Sequence, residues 1–297
     1  MRKSKNVFVC IGALHYDYLL KLKNNITNFR TNPILQSRKI GGVAYNVAKL
    51  LSIFKKVNFF SLKLSQQLKK DVSNTNLKIN EMNNKSTNSY YIALSDKKNK
   101  FLLGLANTDI YEKTISFKLP KIIEKKYLIF DLNFPKIFLQ KTIRKLSKKN
   151  TIIVCATSIH KIHKIKNIIK NIDFLFLNKG ELLKLTDSKN IYIAVKKIKN
   201  KNKNLTICAT NGKNNVFFAT NNKIYKIMPP KIKIKNENGA GDALAGMMIY
   251  LISENYSHNN ILKYSIACGS YYASGKNIKN KNDFQKIKNL SKKVLIN

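Results

Sequence analysis

Short, uninterrupted apolar runs alternate with segments of helical periodicity along most of this chain, and no other feature limits its fold as tightly. The runs are Val7–Ala13, Val57–Leu62, Tyr127–Asp131, Thr151–Cys155, Phe174–Leu177 and Leu205–Ala209. Between them, Val43–Phe54, Ile137–Leu146, Ile162–Ile169 and Ile191–Ile198 repeat apolar residues three and four apart. A strand apolar on both faces must be covered on both faces, and helices between strands supply the cover. The pattern therefore predicts an α/β fold with three layers, α/β/α, around a mostly parallel sheet. Two further short strands are expected at Val216–Ala219 and Lys223–Ile227, then a helical stretch over about 240–273 that must break near Asn255–Asn260.

Two stretches break the alternation. Asp17–Lys23 with Pro33–Lys39, and Ser89–Leu94 with Lys100–Leu105, alternate polar and apolar residues around turn-forming Asn or Asp-Lys-Lys-Asn. Period-two strands are exposed on one face, so these predict a small separate sheet, from about 14–40 and 86–108, able to act as a lid. Residues 63–85 are polar and glycine-free, and carry no readable pattern. The whole chain, 1–297, is expected to form one domain.

With 44% hydrophobic residues the chain has enough apolar material for a core, which excludes wholesale disorder. No apolar run approaches the roughly 18 residues of a membrane span. The basic start, Met1–Asn6, runs directly into the first strand, unlike a cleavable signal. Cys10, Cys155, Cys208 and Cys268 each stand alone in apolar surroundings, as reduced thiols in a cytoplasm do. Lys+Arg number 56 against 15 Asp+Glu, a net charge of +41. Such a charge suits a nucleic-acid partner. The lysines are spread over nearly every segment, however, and no recognition-helix or RNP-like motif accompanies them. A/T-rich codons favour the same Lys, Asn and Ile, so non-specific polyanion contact is all the charge implies.

Several segments carry chemistry. In Gly239-Ala240-Gly241-Asp242, small residues open a helix, where free N–H groups and the positive dipole end gather around an anion. A carboxylate there, Asp242, suits a base that takes a hydroxyl proton while the N–H groups hold a migrating phosphoryl group. An ordinary glycine-rich turn with an Asp at a helix start reads equally well. In Gly41-Gly42-Val-Ala-Tyr-Asn46, the glycines let backbone approach a ligand, Asn46 offers an amide to sugar hydroxyls, and Asp17 supplies a paired acceptor. Asn178-Lys-Gly-Glu181 either holds hydrated Mg²⁺ near phosphates or forms a helix cap. Thr210-Asn-Gly212 is a turn with groups to offer a nucleotide. Gly269–Asn277 imitates a phosphate loop, but its glycine spacing and its helical setting exclude that reading.

In this order the segments resemble the ribokinase-like (PfkB) family of carbohydrate and nucleoside kinases, over essentially the whole chain. The resemblance implies an α/β/α core with a small β-lid, ATP and Mg²⁺, with room for a monovalent cation. It implies a small-molecule sugar or nucleoside acceptor and admits a homodimer through the lid. By match, Asp242 becomes the catalytic base, and Gly239, Ala240 and Gly241 the anion hole. Asn178 and Glu181 become the Mg²⁺ and phosphate motif, acting through water, and Thr210 and Gly212 the nucleotide contacts. Asp17, Gly42 and Asn46 form the sugar site.

Within the family, Thr31-Asn32-Pro33, Gly41-Gly42-Val43-Ala44-Tyr45-Asn46, Thr87-Asn88-Ser89-Tyr90 and Asp131-Leu132-Asn133 are similar to the segments of pseudouridine kinases. That likeness implies transfer to a 5′-hydroxyl and adds Thr87, Ser89 and Asn133 as ribose or base contacts. Ribose, adenosine or fructose are the other acceptors the family offers. A degenerate scaffold that binds nucleic acid is the competing class. Tyr45 where that subgroup carries Arg, and Cys155-Ala156 where it carries Asp-Pro, depart from the pattern.

Overall fold

Each apolar run becomes a strand in a computed structural model, which describes residues 8–72, 76–86, 88–113, 126–221 and 223–296, with only the backbone of 84–86. In chain order the strands are β1 (Phe8–Ile11), β2 (His15–Leu22), β3 (Ile34–Gly41), β4 (Val57–Lys63), β5 (Leu77–Ser86), β6 (Tyr90–Ser95) and β7 (Phe101–Asn107). There follow β8 (Tyr127–Phe130), β9 (Thr151–Cys155), β10 (Phe174–Asn178), β11 (Thr206–Thr210), β12 (Val216–Ala219), β13 (Ile224–Met228) and β14 (Leu295–Ile296). The helices are α1 (Val43–Ser52), α2 (Gln66–Asp71), α3 (Asp109–Lys113), α4 (Lys136–Leu146), α5 (Lys179–Thr186), α6 (Ile191–Lys201), α7 (Ala240–Ser253), α8 (His258–Ala273) and α9 (Phe284–Ser291).

The larger sheet has the order β14-β13-β12-β11-β10-β9-β8-β1-β4-β5. It is parallel from β11 to β5 and antiparallel from β11 to β14. Its two faces carry two separate cores. Phe8 and Cys10 face one with Ala44, Leu51, Met247 and Ile266 from α1, α7 and α8. Val9 and Ile11 face the other with Leu139, Leu182 and Val195 from α4, α5 and α6. Alternate residues of one strand thus serve opposite layers, and the expected α/β/α sandwich is the observed fold.

The period-two segments form the separate sheet β3-β2-β6-β7. Tyr16 and Arg38, on two of its strands, hold it to α2. The Tyr16 hydroxyl donates to Asp71 Oδ2 at 2.7 Å, Arg38 Nη2 lies 3.3 Å from the same oxygen, and the guanidinium stacks over the Tyr16 ring.

One expectation needs correction, and two segments without an expected element gain one. Ile162–Ile169 does not form an α-helix; it holds 3₁₀ turns at Ile162–Ile165 and Ile169–Asn171. Ile162, Ile165 and Ile168 are all buried, and a strict spacing of three matches the 3₁₀ repeat better than the α repeat. The unread stretch 63–85 supplies α2 and most of the edge strand β5, whose only apolar residues are Leu77, Ile79 and Met82. The last segment adds α9 and β14, and β14 pairs with β13. The helical stretch after residue 240 does break where expected. Asn255 takes a left-handed φ of 57°, and Ser257 caps α8 by accepting from Asn260 N–H. Among the described residues no helix is long and apolar enough to cross a membrane.

Candidate active site

The motif segments emerge together at the carboxyl ends of the parallel strands, the edge where ligands sit in such sheets. Asp131 follows β8, Asn178 ends β10 and Thr210 ends β11. Buried Asp131 braces this edge. Its Oδ2 accepts from Ala13 N–H at 2.9 Å and Ala44 N–H at 3.4 Å, and its Oδ1 accepts from Asn133 N–H at 2.9 Å. One carboxylate therefore ties the loop leading to β2 to the first turn of α1. Burial pushes this carboxyl above its usual range, against the hydrogen bonds of Asn133 and Ala13.

The two most specific motifs meet directly. Asn46 Nδ2 donates to Asp242 Oδ2 at 2.7 Å, joining side chains 196 positions apart across the starts of α1 and α7. The route between them depends on Gly42, whose φ is 119° and where a Cβ would lie 2.0 Å from Ala13 O. At Gly41 a Cβ would strike the Asp17 carboxylate at 2.2 Å. Asp242 keeps some contact with solvent, yet close protein walls push its carboxyl up to about 7, with Asp17 and Asp131 adding to the rise. The Asn46 hydrogen bond and the Lys39 charge work in the opposite direction.

At the start of α7, Ala240 N–H donates to Glu237 O at 3.2 Å. The N–H groups of Gly239, Gly241 and Asp242 have no acceptor among the described residues. Three donors and a helix dipole thus converge beside the carboxylate. Ala240 and Gly241 also line a cavity of about 650 Å³, together with Asn178, Thr210 and Gly212. Its walls are apolar at Val216, Ile232 and Ile266, and polar at Lys213 and Asn215. That size and lining suit a nucleotide.

Asn178 and Glu181 form a full capping box on α5. Asn178 Oδ1 accepts from Glu181 N–H at 2.9 Å, and Glu181 Oε2 accepts from Asn178 N–H at 2.7 Å. The cap is thus present, and the same Asn178 lines the cavity. Buried Glu181 is pushed up to about 7 by desolvation.

The remaining expected residues separate. Asp17 is buried on β2, and its Oδ1 has no hydrogen-bond partner. Ser89 is buried and hydrogen-bonded to the Tyr111 hydroxyl. Asn133 accepts from Lys161 Nζ at 2.8 Å. Thr87 lies outside the described residues. Tyr45 turns into the core, edge-on to Phe59, and Cys155 is buried at the end of β9.

Sequence reading missed His15, Lys39 and Lys161. His15 is buried with Nδ1 3.1 Å from Asp17 Oδ1, but the two are not aligned as a hydrogen bond. Lys39 pairs with Asp17 across β3 and β2. The strand begins at His15, two residues before the period-two stretch read from the sequence, so His15 and Asp17 share a face; nothing in the sequence marked which face meets Asp242.

The model of the pfkB family carbohydrate kinases matches residues 7–283. No curated protein matches the chain. Among solved structures, a carbohydrate kinase from Agrobacterium tumefaciens aligns over 98% of this chain and 100% of its own, at 19% identity and a TM-score of 0.73. Ribokinase from Cryptococcus neoformans var. grubii serotype A, in complex with ADP, aligns over 95% and 99%, at 16% identity and a TM-score of 0.73. A nucleoside kinase from Methanocaldococcus jannaschii aligns over 97% and 98%, at 16% identity and a TM-score of 0.71. At these identities the structures speak for the fold alone, while the family match reaches the strands, the small sheet and the Gly-Ala-Gly-Asp segment alike. The chain belongs to the pfkB family of carbohydrate kinases, which are ATP-dependent phosphotransferases.

Proposed function

We propose that this kinase transfers the γ-phosphoryl group of ATP to the 5′-hydroxyl of pseudouridine. The 2.7 Å contact between Asn46 and Asp242, beside three free N–H groups, carries the kinase part of this reading. Asp242 takes the proton of the attacking hydroxyl, and Asn46 holds its carboxylate in place. The N–H groups of Gly239, Gly241 and Asp242 meet the charge that develops on the migrating group. The 650 Å³ cavity takes the rest of the nucleotide, with Thr210, Gly212 and Asn178 in its wall.

Asp17 Oδ1 is a buried acceptor without a donor, which a sugar hydroxyl supplies. The small sheet acts as the lid that excludes water, held to α2 through Asp71. Among the described residues no three His, Cys, Asp or Glu side chains converge as metal ligands. The oxygen donors of Asn178 and Glu181 beside the cavity fit a divalent ion held by the nucleotide phosphates and water, with the two side chains behind that water. Such an ion, Mg²⁺ in our reading, would neutralise phosphate charge. Exposed Phe101, Leu103 and Leu105 on edge strand β7 offer the surface for a homodimer through the lid.

Pseudouridine is favoured over ribose, adenosine and fructose by the Thr31-Asn-Pro, Gly-Gly-Val-Ala-Tyr-Asn and Asp131-Leu-Asn133 segments. The test is incubation with ATP and Mg²⁺ across pseudouridine, uridine, adenosine, ribose and fructose at moderate salt, with products read by mass spectrometry. Phosphorylated pseudouridine alone is expected. Product from another acceptor overturns the substrate. No product, with salt-sensitive RNA binding, favours the polyanion-binding alternative.

A pH profile should report Asp242. A base must be ionised, and a carboxyl raised to about 7 makes activity fall about tenfold per pH unit below that point. Asn46→Ala removes a donor that favours the ionised form, so the acid limb should move to higher pH. Glu181, also near 7, is the control: in Glu181→Gln the limb should stay. A limb that moves only in Glu181→Gln would assign the titration to the wrong carboxylate.

A further inference from the structure

The small sheet joins the body along one line. Ile40, Tyr16, Tyr90 and Asn107 are successive partners across β3, β2, β6 and β7. Four segments therefore cross side by side: Leu14 into β2, Gly42 out of β3, Ser89 into β6 and Thr108 out of β7. Side chains from outside the small sheet hold each crossing. Asp131 ties Ala13, before the first, to Ala44, after the second. Lys161 Nζ donates to Thr108 Oγ1 and to Asn133 Oδ1, each at 2.8 Å.

The Tyr111 hydroxyl takes the two central strands. It accepts from Leu14 N–H at 3.0 Å, donates to Leu14 O at 3.2 Å, lies 3.0 Å from Ser61 Oγ and is hydrogen-bonded to Ser89. Tyr111 N–H also donates to Thr108 O at 3.0 Å. A hydroxyl has one donor and two acceptor positions, so this one is used up on the junction. Its ring is fully buried, edge-on to Phe134 at 5.4 Å, and Ser61 on β4 is fully buried too. One oxygen thus links the large sheet to the entry of both central strands of the small one.

What stands beside the junction gives it a consequence. Asp17 lies one position in from the line, about 10 Å of strand beyond Leu14, and its Oδ1 is the buried acceptor without a donor. Its charge adds to the burial that raises the Asp242 carboxyl. Leu14 N–H has no other acceptor among the described residues. Without the Tyr111 hydroxyl that donor would be buried unpaired, which costs enough to pull the backbone toward a new partner, and Asp17 would move with it.

We infer that the Tyr111 hydroxyl positions the phosphate acceptor: by fixing the root of the small sheet it sets Asp17 against Asp242, without touching substrate itself. The inference rests on the reading of Asp17 as an acceptor contact, which Asp17→Ala tests separately. Steady-state kinetics are measured with ATP, Mg²⁺ and whichever of pseudouridine, uridine, adenosine, ribose and fructose is phosphorylated. Tyr111→Phe keeps the ring and its packing, and should raise acceptor KM about tenfold while ATP KM stays within about threefold. Ser61→Ala removes only the link to the large sheet, and should raise the same KM by less. The double variant should match Tyr111→Phe alone, since Ser61 acts through the hydroxyl. Ile143→Val trims the same core layer on α4, and should leave both KM values within about twofold.

An unchanged acceptor KM in Tyr111→Phe overturns the inference. So does an equal rise in both KM values, or the same split in Ile143→Val; the hydroxyl is then a strut of the fold. If Tyr111→Phe does not fold, an unmoved acceptor KM in Ser61→Ala overturns it. A raised acceptor KM in Asp17→Ala would in those cases leave the acceptor reading standing without Tyr111. An unmoved one would end that reading and the inference with it, as would a panel that gives no product.

Discussion

Asp242→Asn should lower kcat by about 10²- to 10⁴-fold while the protein folds as before. The substitution is close to isosteric, and the amide oxygen still accepts from Asn46, now 2.7 Å from Asp242 Oδ2. What disappears is the lone pair that takes the hydroxyl proton. KM for the nucleotide should change little, since Asp242 is not among the residues around the 650 Å³ cavity.

The same variant makes a second, opposite forecast for stability. A carboxyl raised from 3.8 to about 7 in the folded protein binds its proton more tightly folded than unfolded. Stability therefore declines as pH rises through the interval between those values, and the penalty is complete above about 7. The neutral amide carries no such penalty. Asp242→Asn should thus melt at the same or a higher temperature than native protein at pH 8, and show no such gain near pH 4. Turnover that survives the change would remove Asp242 from the mechanism. Lost turnover with a collapsed melting temperature at pH 8 would make it a structural residue.

The parallel core was legible because central strands buried on both faces have no polar residues to blur them, as in Phe8–Ile11 or Leu128–Phe130. β5 was not, because an edge strand needs a single apolar face and so carries few apolar positions. The 3₁₀ turns were hidden for another reason. Apolar spacings of three occur in both helix types, and which forms depends on how closely Ile162, Ile165 and Ile168 must approach the sheet. At the site, Asp242, Asn46 and the glycines could be read because local backbone geometry demands those residue types. Lys161 could not. One lysine among so many has no signature in sequence, and its meaning comes from Thr108 and Asn133, which reach it from distant segments. Asn178 and Glu181 show the converse limit. A capping box and a ligand motif use the same two residue types at the same spacing, so finding the cap leaves the second role to be tested directly.

Gly42→Ala should be the most damaging small substitution in the chain. The backbone there has φ 119° and ψ 132°, a region that residues with a side chain almost never occupy, at a cost of about 1–3 kcal/mol. A methyl group would also lie 2.0 Å from Ala13 O, and a carbonyl in a braced loop has little freedom to retreat. Ala13 N–H and Ala44 N–H both donate to Asp131, so moving either side of the contact strains the same buried carboxylate. Strain and displacement together should cost about 3 kcal/mol or more, and lower the melting temperature by about 6–12 °C for a chain of this size. Because Asn46 sits in the turn that Gly42 opens, surviving protein should also lose turnover through misplacement of its amide on Asp242. Gly212→Ala separates this from glycine loss in general. Its φ is 56°, with nothing within 4 Å of an added Cβ, so only about 1 kcal/mol of left-handed strain is expected, seen as a small drop in melting temperature with kcat retained. Equal damage from the two substitutions would mean that the crowding at Ala13 is relieved at little cost. The tie between the Gly-Gly turn and Asp242 would then be looser than the 2.7 Å contact implies.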